Sequence, residues 1–243
     1  MKTKCLKFGL LPVLIFLSCS GVKLPAQEPA GKKLYGGAGY FMMGYSRVDM
    51  HDMNTRLLSY GYPEVSPGSL FLGGGGQFVF RNVVLGGEGG GVAAGSYENA
   101  DYRISSSGGY GFFNLGYVVM SSRSVLLYPL VGLGSGGMSL TITDRNNLPG
   151  SFDEMLADPG RQAQMIHGGF MMNFSIGADW FVAGKKGDGI TGGWLVGLKA
   201  GYVLDTSRKN WSLDDNPLTG APVATMSGVY IRITVGGGGY AGR

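Results

Sequence analysis

The chain has 243 residues, of which 46 are glycine, 15% are charged and two are cysteine. Glycine at that level without a three-residue period excludes collagen, and its interleaving with Phe, Tyr, Val and Leu excludes a Ser/Pro/Gln-type disordered linker. The formal net charge of +4 is no argument for nucleic acid as a partner, because the surplus sits in the first 26 residues.

Those residues read as a targeting segment. Lys2, Lys4 and Lys7 precede an apolar run from Phe8 to Leu17, and Leu24-Pro25-Ala26-Gln27 offers a cleavage site after Ala26. The run is too short for a spanning helix of about 20 residues. A rival reading makes Cys19 the acylated first residue of a lipoprotein; Ser18 fits the small residue that precedes such a cysteine, whereas Phe16 stands where Leu is usual. Cleavage after Ala26 would leave 16 Lys and Arg against 16 Asp and Glu and would remove both Cys5 and Cys19. The mature domain, 27–243, would then be neutral and free of disulfides, its stability resting on strand pairing and packing.

Eight strand-like segments follow. They cover about Tyr35 to Arg47, Ser69 to Phe80, Val83 to Gly95, Tyr102 to Met120, Val125 to Thr143, Ile166 to Ala183, Gly193 to Leu204 and Gly228 to Tyr240. Ile104 to Ser122 and Ser124 to Thr143 are uncharged, but each glycine costs a helix about 1 kcal/mol against Ala and Pro129 interrupts the second, so both read as strands. Connections alternate in length: Arg81-Asn82, Ser121 to Ser124 and Gly184 to Gly192 are short; Val48 to Gly68, Asp144 to Met165 and Asp205 to Ser227 are long, and Ser96 to Asp101 is intermediate. An even number of strands with short turns at one end and long loops at the other predicts an all-β, eight-stranded antiparallel up-and-down transmembrane β-barrel, its short turns toward the periplasm.

The alternation is clearest from Ile166 to Leu204. Phe170, Met172, Phe174, Ile176, Ala178 and Trp180 share one face, and beyond the charged turn Trp194, Val196, Leu198, Ala200, Tyr202 and Leu204 do the same. The opposite faces are mostly Gly, Ser and Asn, too poor in charge for a water-exposed surface, so they are expected to line a narrow lumen while the bulky face meets lipid. Trp180, Trp194 and Tyr128 lie near short turns and are expected to form an interfacial aromatic girdle. Glu88, Asp179, Lys199 and Arg232 fall on the polar faces at comparable heights and are expected to form a cross-lumen salt-bridge network that plugs the barrel.

This pattern of strands and loops resembles the small outer-membrane β-barrel superfamily, which includes the transmembrane domain of outer membrane protein A. Met53-Asn54, Leu57-Leu58, Gly61-Tyr62-Pro63, Gly73 to Gly76 and Gly86-Gly87-Glu88-Gly89 are similar to a pattern in poorly characterised exported barrel proteins. The resemblance implies fold and outer-membrane location, not activity. Many members end on an aromatic residue; here Ala241-Gly242-Arg243 follows Tyr240.

Some barrels of this architecture are lipid A deacylases or palmitoyl transferases, which need a nucleophile, a His base and a carboxylate near the outer rim. His51, with Asp49, Asp52 and Ser46 nearby in sequence, and His167 are the two histidines; neither stands in a His-x-Ser arrangement, and two are too few for zinc. Asp214-Asp215-Asn216 lacks the spacing of a calcium loop and reads as a turn. Ser151 to Glu154 has capping-box spacing for a short helix ending at Asp158-Pro159-Gly160, and Asp52 is expected to cap another running to Gly61. Leu57, Phe152, Leu156 and Trp211 are expected to contact lipopolysaccharide or a partner protein, or to pack on one another. The sequence thus predicts a non-enzymatic outer-membrane barrel with a structural or surface-interaction role and no cofactor. Outer-membrane lipid and lipopolysaccharide are its expected surroundings. A lipid-modifying enzyme and a soluble lipocalin-like periplasmic carrier are the alternatives, the carrier requiring its apolar residues to point inward.

Overall fold

Two-residue alternation gives each strand one face of bulky apolar side chains and one of small and polar ones, and closing the sheet into a cylinder sends one face outward and the other inward. The structure, a computed structural model, describes residues 33–122, 125–157, 162–182, 186–187, 190–207, 211–222 and 225–242. The targeting segment, most of the charged turn after Val182 and Asp158-Pro159-Gly160 lie outside these residues.

Eight long strands form the wall: β1 (Leu34–Asp49), β2 (Gly68–Phe80), β3 (Val83–Glu98), β4 (Tyr102–Tyr117), β5 (Val125–Asp144), β6 (Gln162–Val182), β7 (Ile190–Asp205) and β8 (Thr225–Gly242). Each pairs antiparallel with its neighbours in sequence, and β1 closes on β8 from Leu34↔Gly242 to Asp49↔Thr225. The expected segments coincide with these strands. The largest differences are at the long-loop end, where β6 begins at Gln162 and pairs beyond the end of β7 with Trp211–Leu213. The fourth segment stops at Tyr117, and Met120–Ser121 pairs separately with β5.

Following paired residues from Gly177 through Lys199, Arg232, Gly44, Phe71, Val92, Gly108 and Met138 returns to β6 at His167, ten residues from the start. With strands about 4.8 Å apart and a rise of about 3.3 Å per residue, eight strands with that stagger tilt by roughly 40° on a cylinder of about 8 Å radius. Such a lumen is filled by side chains.

The bulky faces point out. Ile176 is 59% exposed and Ile166, Phe170, Phe174, Leu198, Val229 and Ile233 are also exposed, a surface that water would not tolerate and lipid would. This is the reverse of the inward apolar lining that a lipocalin-like carrier requires. The barrel therefore spans a bilayer with its strands.

Glycine occupies both faces rather than the lumen alone. Inward Gly44, Gly73, Gly75 and Gly90 are needed for space, since an added Cβ would lie within 3.0 Å of Arg232 Cγ, of the Phe71 ring (for both Gly73 and Gly90) or of the Tyr40 ring. At outward Gly39, Gly74, Gly76, Gly89 and Gly111 a Cβ would meet nothing closer than 3.3 Å.

Short turns and long loops divide the ends. Arg81 and Asn82 both take positive φ, 52° and 69°, as a two-residue hairpin with matched twist demands, and Asn82 Oδ1 accepts the Leu34 amide at 2.8 Å. At the other end α1 (His51–Ser59) turns Met53 and Leu57 inward with Val65. The Asn54 side chain clamps Val65 through two hydrogen bonds of 2.8 and 2.9 Å, and Arg56 donates to Gly220 O at 2.7 Å. Asp52 is inside this helix rather than at its cap; Asp49 instead accepts the His51 amide at 3.1 Å. The capping box precedes α2 (Phe152–Ala157), with Ser151 Oγ accepting from the Glu154 amide at 3.2 Å and Glu154 accepting from the Gly150 amide at 2.7 Å.

Ile176→Arg, roughly midway along the apolar face of β6, is expected to cost about 2–4 kcal/mol of folding free energy in lipid vesicles, while Phe152→Arg in α2 leaves it unchanged. The urea midpoint of the folded, fast-migrating band on unboiled gels measures both. By the same readout Gly44→Ala should cost about 1–3 kcal/mol by overpacking, whereas outward Gly39→Ala should be near neutral.

Candidate functional site

Three charges meet inside the lumen. Glu88 on β3 lies between two cations: Lys199 Nζ on β7 donates to its Oε2 at 2.9 Å, and Arg232 Nη1 on β8 donates to its Oε1 at 3.0 Å. Lys199 and Arg232 are paired residues on adjacent strands, and the inward face of β3 carries Glu88 across to them. Glu88 is 6% exposed and both cations 1%, so each charge depends on its partners for the solvation it has lost.

Aromatic side chains complete the solvation. Lys199 donates to the Tyr40 hydroxyl at 2.6 Å, with its Nζ 4.3 Å from that ring's centroid. The Arg232 guanidinium lies 3.8 Å from the centroid of Tyr230 and 4.4 Å from that of Phe71, and its Nη2 donates to the Tyr110 hydroxyl. Ring faces are electron-rich and hold a desolvated guanidinium well. Tyr230 in turn donates to Asn173 Oδ1 at 2.9 Å.

Asp179 is held by neutral donors. Gln77 Nε2 donates to its Oδ2 at 2.7 Å and the Tyr128 hydroxyl at 2.9 Å, and the same amide nitrogen of Gln77 reaches the Tyr240 hydroxyl at 3.1 Å. Of the four predicted lumen charges, three are thus joined by ion pairs and the fourth sits in the same lumen in a hydrogen-bonded group of its own.

This geometry corrects the girdle. Tyr128 is fully buried and points into the lumen to Asp179, where Gly177 leaves space for its ring. Both faces of β5 are apolar around it, so alternation did not reveal which one faces in. Trp180 and Trp194 point outward near the short-turn end, at 41% and 65% exposure. Tyr202 is outward, on the face the alternation assigns it; outward Tyr117 and Tyr45 and the partners Tyr40, Gln77, Tyr110 and Tyr230 are not singled out by the sequence. Gln77, a polar residue at an inward position of a Gly and apolar strand, was the readable signal among them.

The long-loop end contains a histidine and a carboxylate, though not an accessible pair. His167 Nε2 lies 2.8 Å from Asp205 Oδ2, both side chains are fully buried, and the Trp211 ring covers the imidazole at 5.4 Å. Among the described residues His167 Nδ1 meets no hydrogen-bond partner, and no serine there completes a triad with it. Asp205 also accepts the amides of Met226 at 3.1 Å and Ser207 at 2.8 Å, which ties the last loop to the rim. His51 is exposed at the start of α1. Leu57 and Trp211, expected at the surface, are buried under the loops, whereas Phe152 and Leu156 are 71% and 62% exposed. Asp214 and Asp215 form a tight turn with positive φ, 49° and 62°. Among the described residues no three His, Cys, Asp or Glu side chains converge on a metal-sized site.

Glu88→Ala leaves two buried cations unpaired and is expected to cost about 3–5 kcal/mol. Replacing the cluster together, Glu88→Leu with Lys199→Met and Arg232→Met, should restore most or all of that loss, because an apolar filling has no desolvation penalty. Urea titration of the folded band compares the two.

No protein-family model matches the chain, and no curated protein matches it in sequence. Among solved structures it is similar to Ail, the attachment invasion locus protein of Yersinia pestis, at 10% identity and a TM-score of 0.41, over 86% of this chain and 99% of that one. Neisserial surface protein A is matched at 10% identity and a TM-score of 0.36, over 87% and 98% of the two chains. For the N-terminal β-barrel domain of Pseudomonas aeruginosa OprF the values are 12%, 0.34, 84% and 98%. The eight-stranded transmembrane barrel stands on this chain's own closed register and outward apolar band, and it is the architecture of the small outer-membrane barrels that the strand and loop pattern resembles.

Proposed function

We propose that this protein is a closed outer-membrane barrel with a structural or surface-interaction role. The observation that carries the reading is the filled lumen. Leu195 and Tyr240 occupy the short-turn end, the Glu88, Lys199 and Arg232 cluster the middle, and Met171, Leu140 and Trp211 the long-loop end. No step of transport is compatible with that packing unless the ion pairs separate, and separation leaves charges unsolvated. The cluster acts as a plug, with Asp179 and its neutral donors extending it toward the short-turn end.

In this reading the short turns face the periplasm, Trp180 and Trp194 sit at the inner interface of the bilayer, and the long loops reach the cell exterior. Phe152, Met155 and Leu156 on α2 are among the exposed apolar residues available there to lipopolysaccharide or to a protein partner, with Leu58, Tyr60 and Leu148. Catalysis on lipid is disfavoured by the burial of His167 and Asp205 beneath Trp211.

Two measurements test the proposal. Wild-type protein in a planar bilayer should give no stable unitary conductance, and a reproducible ohmic pore would overturn the plugged lumen. With Cys5 and Cys19 the only cysteines of the sequence, a membrane-impermeant maleimide should label Leu148→Cys on intact cells and leave Arg81→Cys unlabelled until the cells are opened. The reverse pattern would invert the orientation.

A further inference from the structure

No residue of α2 is buried. Its three large apolar side chains, Phe152, Met155 and Leu156, are between 43% and 71% exposed and follow the i, i+3, i+4 spacing that places them on one face. Six residues are far below the roughly 12–15 that an isolated helix needs in water, yet this one is fastened at its start. Glu154 accepts the Gly150 amide at 2.7 Å, Ser151 Oγ accepts the Glu154 amide at 3.2 Å, and the Met155 amide donates to Ser151 O at 3.2 Å. An apolar helix face that is ordered in advance and left uncovered has the form of an element that enters a partner's groove.

The surroundings select what covers that face. The bilayer is set apart by a polar stretch: the last outward apolar residue of β6 is Ile166, and exposed Gln164 and Gln162 carry the strand about 13 Å further toward α2. Gln164 Nε2 donates there to Ser139 Oγ on β5 at 2.8 Å. Charge decides among the remaining occupants. The outer connections 48–68, 96–101, 144–165 and 205–227 hold 12 Asp and Glu against 5 Lys and Arg. Arg145, the one cation among the described residues from 144 to 157, is engaged by Glu98 at 3.6 Å and by Asn99 O, while Asp153 stands on α2 itself. Such a surface repels the phosphates of lipopolysaccharide and the equally acidic loops of a second copy, and it attracts a basic surface.

We propose that α2 is a docking helix for a basic polypeptide. Phe152, Met155 and Leu156 enter an apolar patch on the partner, and Lys or Arg side chains at the rim of that patch meet Asp153 and the acidic loops around it. The apolar contact supplies most of the affinity, whereas the charge selects the partner and speeds its arrival. The capping box contributes by ordering the helix before the partner arrives, which lowers the entropy cost of binding. This inference rests on the reading that the long loops face the cell exterior.

The test uses the full mature barrel in phosphatidylcholine nanodiscs, with 13C-labelled methionine methyls and empty nanodiscs as the blank. Two peptides are titrated: acetyl-Lys-Leu-Lys-Phe-Lys-Leu-Lys-amide, and the same sequence with Glu in place of every Lys. The lysine peptide should shift the Met155 methyl saturably and leave that of Met53, buried on the inner side of α1, unmoved. It should bind about tenfold more tightly than the glutamate peptide, and Asp153→Lys should narrow that ratio. Phe152→Ser combined with Leu156→Ser should weaken the lysine peptide about tenfold while the folded band on unboiled gels persists; Phe152→Ser alone serves should the pair not fold. Equal binding of the two peptides, or an affinity that survives the folded variant, would overturn the docking helix. So would a Met155 shift produced by lipopolysaccharide micelles in EDTA, or a concentration-dependent dimer that shifts Met155 without peptide. The two readings fail separately: an unlabelled Leu148→Cys on intact cells overturns the orientation, whereas labelled cells and a lysine peptide that does not bind overturn the docking helix alone.

Discussion

Hydrocarbon offers a backbone amide no hydrogen-bond partner, so a chain that crosses a bilayer as strands must leave no edge. Here the requirement is met by the pairing of β1 with β8, which joins the two ends of the described chain from Leu34↔Gly242 to Asp49↔Thr225. The rest of the architecture depends on that closure. With eight strands and a stagger of ten residues the radius is fixed, and the radius leaves an interior wide enough for side chains and too narrow for an open channel. Inward glycines are consequences of the same geometry. Gly44, Gly73 and Gly90 stand against the Arg232 and Phe71 side chains, and Gly177 and Gly197 make room for Tyr128 and Asp179.

The filled interior sets the electrostatics. Two acids and two bases are buried together, and the cluster is tolerable because almost every charge has both a counter-charge or donor and an aromatic neighbour. Such an arrangement is weak evidence for stability and better evidence for specificity, since a one-residue slip in β3, β7 or β8 would turn a charge toward lipid. The ion pairs penalise wrong registers more than they reward the correct one. That is a useful property in a wall whose outward face carries so many small, interchangeable glycines.

The outer end is organised by different means. α1 packs Met53 and Leu57 over the mouth, and the His167 and Asp205 pair gathers β6, the end of β7, the amide of Met226 and the Trp211 segment into one buried knot. A histidine beside a carboxylate invites a catalytic reading, yet burial under Trp211 gives the pair an architectural part. Met53, Leu57, Val65 and Trp211 pack over the lumen, whereas the side chains of α2 are exposed. The closed outer end of the barrel follows from the same packing.

Strand number, the strand limits to within a few residues, the alternation of short and long connections and the inward facing of Glu88, Asp179, Lys199 and Arg232 were legible in the sequence. Each is written locally, in a two-residue hydrophobic period broken by turn residues, and a charge on a glycine-rich face can only point away from lipid. Tyr128 was misread because Val125 to Val131 is apolar on both faces and the period is silent there; only the pairing with β6, which sets Tyr128 opposite Gly177, decides its direction. The stagger of ten residues likewise decided that Glu88 meets Lys199 and Arg232 while Asp179 meets Gln77 and Tyr128, and that His167 finds Asp205. Those partners are separated by up to 144 residues in the chain. Local pattern determines which way a residue faces, but cross-lumen contact depends on the closure and shear of the whole cylinder, and no single strand contains that information.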